Sequence, residues 1–163
     1  MPNTNLVAGK RILIVDDEPD VLETLEALLD ICDVVKATNF EAAKALIETQ
    51  YFDIAILDIM GVDGFQLLEI ANQRKVIAVM LTAHGLSSEN IKKSYKKGAA
   101  SYLPKEEMAN IIIFLNEILE AQQQRKHFWW RWLDRWGDFY DKKFGPDWKD
   151  DDKEFWERFR YYV

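Results

Sequence analysis

The sequence predicts an α/β protein with a doubly wound, five-stranded parallel sheet. Five short, mostly apolar segments alternate along the first 120 residues with five segments whose apolar residues recur at helical spacing. Strands and helices that alternate in this way form parallel sheets, because each right-handed crossover covers one face of the sheet. Reactive polar side chains also recur at the carboxyl ends of successive strands, which is where open parallel sheets hold their ligand sites.

The predicted strands are three to six residues long, a length typical of buried strands bounded by turns. They span residues 11–15, 33–37, 54–57, 76–81 and 101–103. The third is wholly apolar, as expected of a central strand that is covered on both faces.

The predicted helices each place their apolar residues on one side. They begin at Pro19, span 41–49, surround Leu68, run from Ser88 to Lys97 before Gly98, and start again at Glu106. The apolar positions are Val21, Leu22, Leu25, Leu28 and Leu29; Ala43, Leu46 and Ile47; Leu67, Leu68 and Ala71; and Ile111, Ile112, Leu115, Ile118 and Leu119.

Composition limits the class of protein. A chain of 163 residues with 48% hydrophobic content can bury one good core and little more. Its net charge of −7 argues against a generally basic nucleic-acid binder. A single cysteine, Cys32, allows no internal disulfide. We expect a cytoplasmic protein, because no segment has the pattern of a signal peptide or the length of a membrane span.

Five side chains at the strand ends form the candidate site. Asp16 and Asp17 follow the first strand, Asp58 the third, Thr82 the fourth and Lys105 the fifth. Carboxylates gathered there would repel one another by about 4 kcal/mol per pair at a separation of about 4 Å and an effective dielectric of about 20. The cluster therefore predicts a bound cation, and its hard oxygen ligands favour Mg²⁺.

These motifs resemble the receiver domain of bacterial two-component response regulators, of the chemotaxis-regulator type, over about residues 9–120. The resemblance rests on the acidic pair in ILIVDDE, the acceptor in IAILD, the hydroxyl in MLTA and the GAASYLPK stretch, in that order. It implies a flavodoxin-like sheet of order 2-1-3-4-5, and we expect a C-terminal helical extension to follow this domain. It also implies a protein that catalyses only its own phosphorylation and dephosphorylation.

The resemblance further implies a role for each site residue. Asp58 would be the phosphorylated nucleophile, already ionised near neutral pH, and the donor would be a histidine of a sensor kinase or phosphotransfer protein. Lys105 would supply a cation, while Thr82 and Tyr102 would form the switch. The metal ligands would be Asp17, Asp58, the Met60 carbonyl and, through water, Asp16.

The loop after Asp58 departs from the family pattern. Receivers usually have a methionine-proline turn and a glycine eight residues after the acceptor, whereas here Gly64 follows Asp58 by only six residues, without a proline. We expect Gly61 and Gly64 to absorb the tighter turn, because glycine tolerates positive φ.

A phosphatase of the haloacid-dehalogenase type is an alternative, because IAILDIMGVDG is similar to its aspartyl-nucleophile motif. That chemistry needs an aspartate two residues after the nucleophile to act as acid and base. Met60 stands there and cannot carry a proton.

The chain divides in composition near Glu120. Residues 1–120 would form the receiver and residues 121–163 an aromatic helical tail, which holds all six tryptophans. Aromatic residues at steps of three or four, followed by Gly145 and Pro146, predict a helical hairpin there. We expect a docking or homodimerisation element, since large aromatics dominate interfaces; a homodimer could use the receiver face or this tail. Membrane or nucleic-acid binding remain lesser alternatives, because the tail has many aspartates and 9 acidic against 10 basic residues.

Overall fold

The computed structural model describes residues 5–82 and 88–124, apart from the side chain of Ser88. The predicted helical hairpin and most of the aromatic tail lie outside these residues. Within the described ranges, no helix has the length and apolar character needed to cross a membrane.

The described chain alternates strands and helices in the predicted order. The strands are β1 (Arg11–Val15), β2 (Asp33–Ala37), β3 (Ile54–Asp58), β4 (Ile77–Thr82) and β5 (Ser101–Pro104). The helices are α1 (Pro19–Leu28), α2 (Phe40–Thr49), α3 (Gly64–Gln73), α4 (Ser88–Lys96) and α5 (Ile111–Gln123).

All five strands pair in parallel in the order β2-β1-β3-β4-β5, which confirms the predicted flavodoxin-like sheet. The chain moves one way from β1 to β2 and the other way from β2 onward. Right-handed crossovers then place α1 on one face of the sheet and α2, α3 and α4 on the other. This double winding leaves the carboxyl ends of β1 and β3 as neighbours at the middle of one edge.

The core follows the predicted apolar faces. All five residues of β3 are buried, as are the last four of β1. Val21, Leu22 and Leu25 of α1 are buried against the sheet, whereas Leu28 is only partly buried.

The segment before α5 differs from the expectation of a helix that starts at Glu106. Lys105–Asn110 forms a 3₁₀ helix, and the α-helix begins at Ile111. Glu107 has a non-helical backbone, with φ −106° and ψ 15°, which interrupts a regular α-helix there. The tight turn leaves Lys105 directly at the end of β5.

Candidate functional site

The site lies at the carboxyl edge of the sheet, where the predicted side chains meet. Asp58 and Thr82 are the last residues of β3 and β4, so both strands extend one residue beyond the prediction. Backbone pairing holds Asp58 opposite Leu81 and Thr82 opposite Pro104. Because these strands are adjacent and parallel, their final side chains collect at one edge.

Lys105 connects the acidic residues of the site. Its Nζ lies 2.8 Å from Asp16 Oδ2, 3.0 Å from Glu18 Oε1 and 3.5 Å from Asp58 Oδ1. The ammonium therefore bridges the loop after β1 and the end of β3. The structure thus brings together three of the predicted residues, Asp16, Asp58 and Lys105.

Asp16 is held in place by the backbone on both sides. Its amide donates to the Ala37 carbonyl of β2 at 3.2 Å, and its Oδ1 accepts a hydrogen bond from the Glu18 amide at 2.9 Å. Asp16 is fully buried. An aspartate side chain that accepts a hydrogen bond from the amide two residues later forms a tight turn, and this turn leads into α1.

Burial raises the pKa of Asp58 to about 7, and the neighbouring Asp16 carboxylate adds to the rise. Lys105 opposes both effects. The expectation that Asp58 is fully ionised near neutral pH therefore needs correction, because burial without a bound cation favours the protonated carboxyl group. The expectation rested on the value of an exposed side chain, and Asp58 is 5% exposed.

The pKa values of Asp16 and Lys105 are raised as well. Burial raises the pKa of Asp16, although the hydrogen bonds from Lys105 and from the Glu18 amide limit the rise. Burial alone would lower the pKa of Lys105, but its hydrogen bonds to Asp16 and Glu18 raise the pKa above its ordinary value. Lys105 therefore remains an ammonium at any pH at which the protein would work.

The donor set of this cluster fits a hard divalent cation. Carboxylate oxygens of Asp16, Asp17 and Glu18 lie within 4.8 Å of one another. Burial is the main cause of the raised pKa of Asp58, and the neighbouring Asp16 and Asp17 carboxylates raise it further, so a cation would favour the charged carboxylate there. Oxygen ligands of this kind are what Mg²⁺ prefers, and it usually takes only one or two carboxylates from the protein.

Glu18 belongs to the site but was not predicted from the sequence motifs. It follows the acidic pair directly, and its ion pair with Lys105 spans 87 residues of sequence. The third letter of DDE was the available signal, but an acid at the start of a helix also suits the positive helix end and did not suggest a site.

The loop after Asp58 makes its tight turn in a different way from the expectation. Gly61 has φ +81°, as expected, but the second left-handed residue is Asp63, with φ +53°, rather than Gly64. Gly64 is needed for another reason, because a Cβ there would overlap the Asp58 carbonyl oxygen. A Cβ on Gly61 would lie 2.5 Å from Asp17 Oδ2, so the loop backbone packs on that carboxylate.

Thr82 and Tyr102 are both buried, at 1% and 0% exposure. Tyr102 lies in β5 opposite Met80, two residues before the end of β4. The side chain of Met60 is 59% exposed, and its carbonyl as a metal ligand stays a prediction.

The fold and site together define a class: a flavodoxin-like α/β domain whose strand ends hold buried carboxylates against a lysine. Residues 12–115 match the model of the response regulator receiver domain family. The chain therefore belongs to that family, whose receiver domains act in two-component systems and interact with histidine kinases or phosphotransfer proteins. The phosphatase alternative has no support from this match.

Similar proteins come from distant sources. The two-component response regulator ARR18 of Arabidopsis thaliana is 37% identical over 103 residues, which are 60% of this chain and 16% of that protein. The heme response regulator HssR of Staphylococcus aureus (strain Newman) is 36% identical over 107 residues, which are 63% of this chain and 47% of that protein. The match thus spans less than half the length of either relative.

A solved structure agrees with the fold. The CheY-like receiver domain protein of Methanospirillum hungatei JF-1 is 31% identical, with a TM-score of 0.65. The alignment covers 72% of this chain and 98% of that one.

Proposed function

We propose that this chain is a phosphorylation-dependent response regulator in which Asp58 accepts a phosphoryl group from a histidine of a sensor kinase or phosphotransfer protein. The observation that carries the proposal is the buried Asp58 carboxyl group 3.5 Å from the Lys105 ammonium, which also pairs with Asp16 at 2.8 Å. A nucleophile beside a fixed cation, at the open edge of a parallel sheet, suits transfer of an anionic group.

In the transfer step an oxygen of Asp58 forms a bond to phosphorus while the phosphorus–nitrogen bond of the donor histidine breaks. The electron pair of that bond returns to the imidazole, which takes a proton from solvent. Asp58 must be deprotonated to attack, so its pKa of about 7 makes loss of this proton part of the reaction. Charge spreads over the equatorial phosphoryl oxygens, where Lys105 can stabilise it.

Asp16, Asp17, Asp58 and the Met60 carbonyl would hold Mg²⁺. The ion would neutralise the developing charge on the phosphoryl oxygens. Asp17 would bind it directly and Asp16 through water. Gly61 supports this role of Asp17, because its backbone packs against that carboxylate and limits the directions in which the side chain can turn.

The switch would use Thr82 and Tyr102. A hydroxyl at the last position of β4 can donate to a phosphoryl oxygen on Asp58 at the end of the adjacent strand, which would draw its loop inward. Tyr102 would follow into the vacated space, and the surface of α4, β5 and α5 would change its affinity for a partner or for a second copy. The tail would then serve docking or dimerisation rather than nucleic-acid or membrane binding.

We further propose that the protein acts in the cytoplasm and catalyses only its own phosphorylation and dephosphorylation. The site holds groups that position and neutralise a phosphoryl group on Asp58. The protein would transmit its signal through the partners that it binds.

Acetyl phosphate labelling tests the acceptor. With Mg²⁺, the wild-type protein and Asp63→Asn should show a phosphorylated band on a phosphate-affinity gel, and Asp58→Asn should not. Asp63 is a matched control, because it lies in the same loop and its left-handed backbone suits asparagine. Unchanged labelling of Asp58→Asn would refute the assignment.

A further inference from the structure

Lys105 has more carboxylate partners than the transfer chemistry needs. An ammonium has three donors, and here three carboxylates lie within ion-pair distance. Asp58 is the most distant of the three, at 3.5 Å, which exceeds the usual length of an N–H···O hydrogen bond. The lysine is therefore drawn toward the loop after β1 and away from the acceptor.

Glu18 is fixed in the position from which it reaches Lys105. Its amide donates to Asp16 Oδ1, and it is the N-cap residue of α1, with extended backbone angles of φ −97° and ψ 111°. Pro19 follows and itself restricts the preceding residue to extended conformations. The contact of 3.0 Å thus starts from a preorganised backbone.

The two acids that hold Lys105 differ in how readily they release it. Asp16 is buried, so an Asp16 carboxylate without its cation would be costly. The Glu18 side chain is 56% exposed although the Lys105 side chain is largely buried, so water can solvate the Glu18 carboxylate when the ammonium leaves it. Glu18 is therefore the partner that Lys105 can leave when a phosphoryl group arrives on Asp58.

We propose that Glu18 is a positioning residue that competes with Asp58 for Lys105, restraining the lysine in the unmodified protein and slowing transfer to Asp58. This inference rests on the proposed function of Asp58 as acceptor. The ion pair between Glu18 Oε1 and Lys105 Nζ must break before the ammonium can contact the phosphoryl oxygens.

The first test compares labelling rates by acetyl phosphate with Mg²⁺. Glu18→Gln should label about two- to fivefold faster than the wild type, the range expected for loss of one ion pair whose acid is solvent-exposed. Asp20→Asn is the matched control, since it removes the same charge two residues further along α1, and it should change the rate less than twofold. Equal acceleration by both variants would mean a general charge effect and would overturn the inference.

Lys105 must carry the effect. In a Lys105→Ala background, Glu18→Gln should no longer change the labelling rate, whereas a retained acceleration would contradict the proposal. In metal-free protein, the NMR shift of Lys105 Cε should move in Glu18→Gln and stay in place in Asp20→Asn. An unmoved Lys105 signal in Glu18→Gln would show that the contact does not position the lysine.

Glu18 could instead be a metal ligand, since its carboxylate lies near those of Asp16 and Asp17. Titration calorimetry with Mg²⁺ alone separates the roles: Glu18→Gln should bind the ion with an affinity within about twofold of the wild type, and a tenfold loss of affinity would overturn the positioning role.

The labelling experiments also separate this inference from the proposed function. Wild-type protein that takes no label would refute the proposed function, whereas labelled wild type with an unchanged Glu18→Gln rate would refute this inference alone.

Discussion

Lys105 Nζ lies closer to Asp16 Oδ2, at 2.8 Å, than to Asp58 Oδ1, at 3.5 Å. The cation that would serve the acceptor is thus held mainly by a neighbouring buried carboxylate. Lys105 therefore stabilises the charged form of Asp58 only in part. The pKa of Asp58 is about 7 because the effect of burial exceeds the opposing effect of Lys105.

Replacing Asp58 with asparagine should stabilise the metal-free protein, and more so at higher pH. The folded pKa of about 7 exceeds the ordinary 3.8, so the folded state binds more protons between these values, and the free energy of unfolding falls as pH rises through them. The difference reaches an upper bound of about 4 kcal/mol at pH 8. Urea denaturation of both proteins in a chelator at pH 5 and pH 8 measures it. An equal difference at both pH values would contradict the raised pKa.

Lys105→Ala should lower the stability of the metal-free protein at pH 8 by about 3 kcal/mol or more, because it leaves two buried carboxylates without their cation. Lys36→Ala provides the control. Lys36 pairs with Glu26 at 2.9 Å, but both side chains are more than 40% exposed, so its loss should cost less than about 1 kcal/mol. Similar losses from the two substitutions would show that the cluster is not an interior ion-pair network.

The same Lys105→Ala variant should separate labelling from switching. Some acetyl phosphate labelling should remain, since Asp58 and the metal acids are intact. Phosphorylation should no longer change the oligomeric state, because the variant has no ammonium group to contact the phosphoryl oxygens. Light scattering with and without beryllofluoride and Mg²⁺ measures this coupling. A mutant that responds as the wild type does would remove Lys105 from the switch.

Alanine substitutions at the two loop glycines should have different effects on stability and on Mg²⁺ affinity. In Gly64→Ala the new methyl group would meet the Asp58 backbone, which cannot move aside, so the free energy of unfolding should fall by about 1 to 3 kcal/mol or more. In Gly61→Ala the neighbour is the Asp17 side chain, which can turn away, so the protein should fold, with strain of about 1 to 2 kcal/mol, and lose Mg²⁺ affinity. Thermal unfolding and Mg²⁺ calorimetry distinguish them, and the reverse pattern would contradict the loop geometry.

Much of the fold followed from the sequence because its signals are local. The bounds of β1 and β2 coincide with the predicted bounds, since each strand lies between segments with turn or helical patterns. Asp58 and Thr82 could be placed at the same edge because parallel strands end together.

What the sequence missed depends on distances that appear only after folding. Neither the contact of Glu18 with Lys105 nor the burial that shifts the pKa of Asp58 can be found from spacing. The loop shows the same limit. Asp63 rather than Gly64 adopts the left-handed backbone, and Gly64 instead lies where a side chain would overlap the Asp58 carbonyl.

The most direct test of the central claim is to find the modified residue itself. Protein treated with acetyl phosphate and Mg²⁺ is reduced with borohydride, which traps an aspartyl phosphate as a stable alcohol, and its peptides are mapped by mass spectrometry. We predict that the trapped residue is Asp58. Modification at another carboxylate, or at none, would contradict the proposal that Asp58 is the phosphoryl acceptor.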